Sequence, residues 1–346
     1  MDSFSEILRS GWFLNGRFAR DLKSALSGFI ADRPVALVGN GTDALRIALM
    51  TLGVGPGSRV ATAANAGGYA SGAALSLGAT PVIVDVIEAT AQMDPASLAE
   101  VLETSKPPDV VVVTHLYGQM APILDIVDLV SSLNIPVVED VAQAFGARIP
   151  EGPAGAFGSL ATTSFYPTKN LAAIGDAGAI FSATEELGTQ CARAAQYGWG
   201  ERYIIESLSG VNSRMDEIQA AALLHRLERI EFDNARRRDI ASAYRSRLTE
   251  SRSLIGTDDL SFVGHLAVML TGSRELDNRS LVEAGIETAV HYPLSDHLQP
   301  AWRGLVETPV SLEKTESLSR RVLSLPCFSK MTDAEVGHVM EALAKL

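Results

Sequence analysis

Only two cysteines occur in 346 residues, Cys191 and Cys327, and they stand far apart with no C-x-x-C spacing. Neither a disulfide framework nor a zinc site is supported, so both read as reduced thiols and no metal is expected. No apolar stretch approaches the roughly 18 uninterrupted residues of a membrane helix, and Asp2, Glu6 and Arg9 break the basic-then-apolar order of a leader peptide. A cytoplasmic protein without a membrane partner is the expectation. Basic residues are also scarce, 29 Lys and Arg against 41 Asp and Glu, a net charge of −12. That balance argues against a nucleic-acid partner, and an anionic substrate must be captured by local donors against a repelling field. Internal repeats and low-complexity tracts are missing too, which leaves a globular chain long enough for two domains.

What the chain does contain is alternation. Short β-branched runs at 34–38, 59–63, 81–85, 109–114, 135–139, 159–164 and 177–181 are separated by amphipathic stretches, among them Thr42 to Leu52 and a segment opened by Asp94-Pro95. Several runs are apolar throughout, as strands buried on both faces are. The pattern predicts an α/β fold with a mainly parallel seven-stranded sheet in a large domain, residues 1–230. A long helical pattern from Arg214 toward Tyr244 is expected to connect it to a smaller α+β domain, residues 231–346. There the sequence suggests strands at 266–270 and 287–291, a helix from Arg274 to Ala284, and two terminal helices, the last opened by Thr332-Asp333.

Ligands of open α/β sheets collect at the carboxyl ends of the strands, and Asp140 closes one of the apolar runs. Taken alone it also reads as a loop or helix-capping carboxylate. Gln143 would project to the same side if the chain begins to coil there, although alone it reads as a surface residue. About thirty residues after Asp140, Lys169 lies in Ser164-Phe165-Tyr166-Pro167-Thr168-Lys169-Asn170, flanked by small and apolar residues that would desolvate its amine. A lysine that condenses with an aldehyde, and a buried carboxylate that keeps a pyridine ring protonated, are what pyridoxal phosphate chemistry requires. The alternative for Lys169 is an ordinary solvated lysine. Gly39-Asn40-Gly41-Thr42-Asp43 reads as a strand end, tight turn and helix start, whose free N–H groups and Thr42 hydroxyl can cradle a phosphate, with Ser164 as a further hydroxyl. It equally reads as an ordinary capped helix.

Six motifs, in this order, carry a resemblance: Asn40-Gly41-Thr42-Asp43-Ala44-Leu45, His115-Leu116-Tyr117-Gly118-Gln119, Glu139-Asp140-Val141-Ala142-Gln143-Ala144, Ser164 to Asn170, Asn212 to Ala221 and His291-Tyr292-Pro293. The chain resembles the DegT/DnrJ/EryC1/StrS family of nucleotide-sugar aminotransferases along nearly its whole length. The resemblance implies the type I fold of pyridoxal phosphate-dependent transferases, as in aspartate aminotransferase, and pyridoxal phosphate as cofactor. It implies Lys169 as Schiff-base lysine and proton shuttle, Asp140 on the pyridine nitrogen and Gln143 near the ring. Gly41, Thr42 and Ser164 would contact the phosphate. Asn212 would reach the cofactor of a neighbouring subunit in a homodimer, and Tyr166, His291 and Tyr292 would lie near the substrate. The implied reaction moves an amino group from L-glutamate to a keto group of a nucleotide-linked deoxysugar, dTDP-linked by expectation. The runs Gly175-Asp176-Ala177-Gly178, Gln196-Tyr197-Gly198 and His291-Tyr292-Pro293 are more similar to members acting at C3 than at C4.

Three departures stand against the pattern. Asn65-Ala66-Gly67-Gly68-Tyr69 occupies the place of an aromatic over the ring, leaving Tyr69 as the stacking candidate. Ser10-Gly11-Trp12-Phe13 arrives early, and the stretch from Ser251 to Gly264 looks trimmed. Two other readings of the same scaffold are a sugar dehydratase, in which histidine replaces the lysine, and a non-catalytic regulatory protein. Lys169 speaks against the first, and Lys169, Asp140 and Thr42 against the second.

Overall fold

In the computed structural model, which describes residues 2–207, 210–249 and 251–346, two helices precede the first strand: α1 (Asp2–Ser10) and α2 (Arg17–Phe29). Neither was expected from the sequence. The buried carboxylate of Glu217 ties them down, accepting hydrogen bonds from the backbone N–H groups of Gly16 (2.8 Å), Phe18 (2.9 Å) and Ala19 (2.9 Å). It satisfies donors that a helix start leaves open, from 200 residues away in sequence, which is why local patterning does not reveal it.

The seven expected strands are present as β1 (Val35–Val38), β2 (Arg59–Ala63), β3 (Thr80–Val84), β4 (Val110–Thr114) and β5 (Val137–Asp140). After a short hairpin, β6 (Arg148–Ile149) with β7 (Gly152–Pro153), come β8 (Leu160–Ser164) and β9 (Gly178–Ser182). They form one sheet in the order β1-β9-β8-β5-β4-β2-β3, parallel except that β9 runs antiparallel to both neighbours. The all-valine run of β4 shows why such strands lack alternation. Val110 and Val112 enter one core with Val60, Val138 and Ile180, while Val111 and Val113 enter another with Ala61, Val84 and Val137. Helices α3 (Gly41–Thr51), α4 (Tyr69–Ser76), α5 (Pro95–Leu102), α6 (Ile123–Ser131) and α7 (Glu185–Ala194) connect the strands. Asp94 caps α5 through the Ala96 N–H, with Pro95 at the first turn, as the sequence predicts.

The long helix expected from Arg214 is instead two helices, α8 (Glu217–Leu227) and α9 (Ile230–Arg245), broken at Glu228–Arg229. The break lets each serve a different core. Ala220 and Leu223 pack with α2, whereas Ile240, Ala241 and Tyr244 pack with the C-terminal elements. Those elements are β10 (Arg252–Leu254), β11 (Ala267–Thr271), α10 (Arg274–Glu283), α11 (Glu313–Arg321), β12 (Val322–Leu325) and α12 (Asp333–Leu343), with an antiparallel sheet in the order β10-β11-β12. Strands β10 and β12 were not anticipated. The strand expected at 287–291 is absent: only Ala289 bridges to Ser324, and the chain then leaves the sheet to carry His291 and Tyr292 into the cavity described below.

The trimmed stretch before Gly264 is a stitch between the two halves. Gln119 donates to Ser261 Oγ (2.9 Å) and accepts from the Thr257 N–H (3.0 Å), and the Met120 N–H donates to the Ser261 carbonyl (2.8 Å).

Candidate active site

The carboxyl ends of β4, β5 and β8 lie side by side and present Thr114, Asp140 and Ser164 to a cavity of about 1100 Å³. This is where an open α/β sheet gathers its ligands. The expected residues Gly41, Thr42, Tyr69, Asp140, Gln143, Ser164, Tyr166, Lys169, His291 and Tyr292 all line it. Asn212 does not: it is exposed, bridged through its backbone to Gln196, and outside the cavity of its own chain.

Asp140 is the last residue of β5 and is buried. Burial pushes its carboxyl above the ordinary range, while the Ala142 N–H (3.0 Å to Oδ1) and the charge of Lys169 act in the opposite direction. Lys169 follows β8 in a turn closed by its own N–H on the Tyr166 carbonyl (2.8 Å). Burial pulls its amine below the ordinary lysine value, and Asp140 opposes the change. Each group thus limits the cost of holding the other's charge out of water.

Beneath Asp140 lies a polar network without solvent. Glu139 Oε1 accepts from the N–H groups of Phe157 and Gly158 (both 2.7 Å), and Oε2 accepts from Gly155 (2.9 Å) and lies 3.0 Å from His115 Nε2. His115 Nδ1 accepts from the Ala121 N–H (3.0 Å), so the ring hydrogen is on Nε2 and points at Glu139. Burial alone would raise the Glu139 carboxyl, but the hydrogen bonds from His115, Gly158 and Gly155 outweigh it and leave it lowered.

Helix α3 opens the opposite wall. Asn40 caps it by accepting from the Asp43 N–H (2.8 Å), and the N–H groups of Gly41 and Thr42 meet no acceptor among the described residues. Gly41 is a close-approach position, because a Cβ there would come within 2.5 Å of Ser164 Cβ. Two free N–H groups and the Thr42 and Ser164 hydroxyls form the donor set a phosphate needs. Asp43, which would repel it, is engaged by Ser213 Oγ (2.6 Å) and Asn40 Nδ2 (3.1 Å).

Aromatic residues close the top. Gln143 accepts from the Tyr117 N–H (2.7 Å) and donates to Tyr292 Oη (3.1 Å), and Tyr117 Oη donates to the His291 carbonyl. Gly67, at φ +76°, makes room for the Tyr292 ring, which would lie 2.8 Å from a Cβ at that position. Tyr69 meets Tyr292 edge-on, ring centroids 6.4 Å apart. The Ala-Gly-Gly departure from the family pattern is therefore matched by a tyrosine arriving from the C-terminal half.

Three cavity residues or supports escaped the sequence reading: His265, Asn170 and Arg237. Asn170 Nδ2 donates to Asn234 Oδ1 (2.7 Å) and the Val263 carbonyl (3.0 Å), which leaves its Oδ1 to accept from His265 Nδ1 (2.9 Å). His265 Nε2 therefore carries a lone pair. Burial first, then the charges of Lys169, Arg237 and His291, hold this imidazole neutral, well below its ordinary pKa. Asn170 adjoins Lys169, but its partners come from α9 and the segment before β11, contacts that no local motif signals.

A buried carboxylate and a desolvated lysine at the carboxyl edge of such a sheet suit an enzyme that works on carbonyls and amines with a pyridoxal-type cofactor. The chain belongs to the DegT/DnrJ/EryC1/StrS aminotransferase family, whose sequence model matches residues 1–344. That family is pyridoxal phosphate-dependent, and the donor set found here fits the group. The chain is 36% identical to UDP-2-acetamido-2-deoxy-3-oxo-D-glucuronate aminotransferase of Pseudomonas aeruginosa, covering 97% of this chain and 93% of that protein. It is 34% identical to dTDP-3-amino-3,4,6-trideoxy-alpha-D-glucose transaminase of Streptomyces venezuelae (99% and 90%) and 35% to a pleiotropic regulatory protein of Geobacillus stearothermophilus (100% and 93%). Among solved structures it resembles a family aminotransferase from Brucella abortus, with TM-score 0.95, 28% identity and 99% and 94% of the chains covered. It also resembles S. venezuelae DesV in complex with a ketimine intermediate, at 0.92, 34%, 99% and 93%.

Proposed function

We propose that this aminotransferase moves the amino group of L-glutamate to a 3-keto group of a dTDP-linked deoxysugar, with Lys169 as the cofactor-anchoring lysine and Asp140 as its partner at the pyridine nitrogen. The observation that carries the reading is the meeting of Lys169 and Asp140 in one cavity whose far wall offers the free N–H groups of Gly41 and Thr42. Pyridoxal phosphate, when bound, supplies the electron sink for a carbanion at the donor Cα. Lys169, its amine biased toward the neutral form by burial, takes the proton at donor Cα and later delivers one to the sugar carbon that receives nitrogen. Gly41, Thr42 and Ser164 hold the phosphate, Gln143 and Tyr69 border the ring, and Tyr166, His291 and Tyr292 face the sugar. Support for C3 comes from relatives named for 3-oxo or 3-amino sugars, and support for dTDP from two of them. Unpaired Cys191 and Cys327 suit a reducing compartment such as the cytoplasm.

Purified enzyme supplied with L-glutamate and a panel of 3-keto and 4-keto sugars on dTDP and UDP is expected to convert the dTDP-linked 3-keto compounds fastest, by product analysis. Conversion of 4-keto compounds alone would refute the assignment to C3. The regulatory reading, which the Geobacillus relative's name favours, predicts no conversion at all.

The exposed Asn212 has no role in the cavity of its own chain, and exposed Tyr203, Ile204 and Ile205 lie on a nearby segment. We propose a homodimer in which Asn212 completes the neighbour's site. Lys169→Ala and Asn212→Ala subunits, each inactive, should regain about a quarter of wild-type activity when refolded together, because half the dimers are mixed and each mixed dimer has one intact site. No recovery on mixing would place Asn212 elsewhere.

A further inference from the structure

Arg237 is a buried cation that forms no ion pair among the described residues, although the Cys327 thiol and Asp233 both favour its charge. It projects from α9, is 8% exposed, and lines the cavity together with His265 and Cys327. Its Nη1 donates to three backbone carbonyls, those of Gly264 (3.3 Å), His265 (3.3 Å) and Cys327 (2.7 Å). No carboxylate forms an ion pair with it among the described residues, although Arg59, Arg148, Arg236, Arg245 and Arg252 each have one. Apart from the Cys327 thiol, which also interacts with the guanidinium, its Nε and Nη2 meet no acceptor among the described residues, and they are not among the buried orphan atoms of a side chain that lines the cavity.

A guanidinium is expensive to bury, and anchoring the two adjacent segments accounts for only one of its nitrogens. Two open donors in a planar fork match the two oxygens of one carboxylate. Among the described residues, Lys169 and Arg237 are the only Lys or Arg side chains lining the cavity, against the carboxylates of Asp43, Asp140 and Asp176. With Lys169 committed to chemistry, Arg237 is the remaining fixed positive charge that the chain's own cavity lining offers an anionic substrate, in a chain of net charge −12. It lines the same cavity as Lys169 and donates to the carbonyl of His265, whose imidazole both cations help to hold neutral.

We infer that Arg237 is the carboxylate-recognition residue for the amino donor. This rests on the donor being glutamate, as proposed above. A sugar diphosphate is the other anion at hand, but it needs an open groove for its nucleotide, whereas Arg237 lies under the segments at Gly264–His265 and Cys327.

The test uses glutarate, a dicarboxylate without an amine that cannot react, titrated calorimetrically into the purified enzyme. Arg237→Gln should weaken glutarate binding at least about tenfold and raise the KM for L-glutamate by a similar factor, with the KM for the keto sugar nucleotide changed by less than about twofold. Arg237→Lys, which keeps the charge and loses the fork, should recover part of the affinity, and the rise in KM confined to L-glutamate is the readout that a purely structural role would not give. If Arg237→Gln does not fold, Arg237→Lys is decisive alone, with at least about threefold weaker glutarate binding expected. Unchanged glutarate affinity, or a rise in KM confined to the sugar, would overturn the inference. Wild-type enzyme that aminates no keto sugar would instead count against the proposed function, while the glutarate titration still reads Arg237 by itself.

Discussion

Lys169→Ala is expected to eliminate the visible absorption band of lysine-bound cofactor and to lower turnover by at least about 10⁴-fold, near the upper end of what a positioned acid–base group contributes. The proposed function gives the lysine two tasks at one atom: its Nζ would anchor the cofactor and then carry the proton between reacting carbons. Burial biases that amine toward its neutral form, and Asp140 keeps it from being stranded as an uncompensated charge if it protonates. Alanine removes anchor and base together without filling the space, so the cavity and the phosphate donors at Gly41 and Thr42 remain. The variant should therefore still take up cofactor non-covalently. Cofactor that stays covalently attached to Lys169→Ala through borohydride reduction and denaturing gel filtration would disprove the assignment.

Glu139→Gln is expected to be the most destabilising conservative change, by about 3–5 kcal/mol, the range for removing one partner from a buried charged network. All four groups that meet the carboxylate are donors: His115 Nε2 and the N–H groups of Gly155, Phe157 and Gly158. A glutamine amide keeps the volume but turns one acceptor oxygen into a donor that faces two of them, so hydrogen bonds become donor–donor contacts in a site without water. Urea unfolding of the two proteins at neutral pH measures the difference, and equal stabilities would rule the network out as a major contributor. The pH dependence has a defined sign. The folded Glu139 carboxyl is lowered from 4.5, so its contribution is fully present above 4.5 and is lost as pH falls through the folded value. Asp140, raised by burial, acts oppositely, its ionised form costing stability that protonation releases. Wild type should therefore lose stability in acid more steeply than Glu139→Gln, which lacks the Glu139 contribution while the other shifted carboxylates, Asp140, Asp259, Asp277 and Asp296 among them, are common to both.

Much of the fold was legible because the relevant signals are local. The seven strands of the main sheet lie where short apolar runs sit, and α5 starts where Asp94-Pro95 allows a cap and a first-turn proline. The misreadings share one origin. The N-terminal helices depend on Glu217, the division of α8 from α9 depends on two cores on different sides, and the segment 287–291 gives up strand pairing after a single bridge to Ser324. Each outcome is set by a partner distant along the chain.

The same division runs through the site. The sequence by itself determined the family, the lysine and carboxylate at the sheet's edge and the glycine-threonine turn, because a backbone turn and a strand end carry their chemistry within a few residues. Only the tertiary structure decided that Tyr292 would fill the space left at Gly67, that Asn170 would orient His265, and that Arg237 would bring an unpaired guanidinium to the cavity wall. Those are properties of side chains brought together from separate elements, and burial, which sets their charge states, exists only once the chain has closed around them.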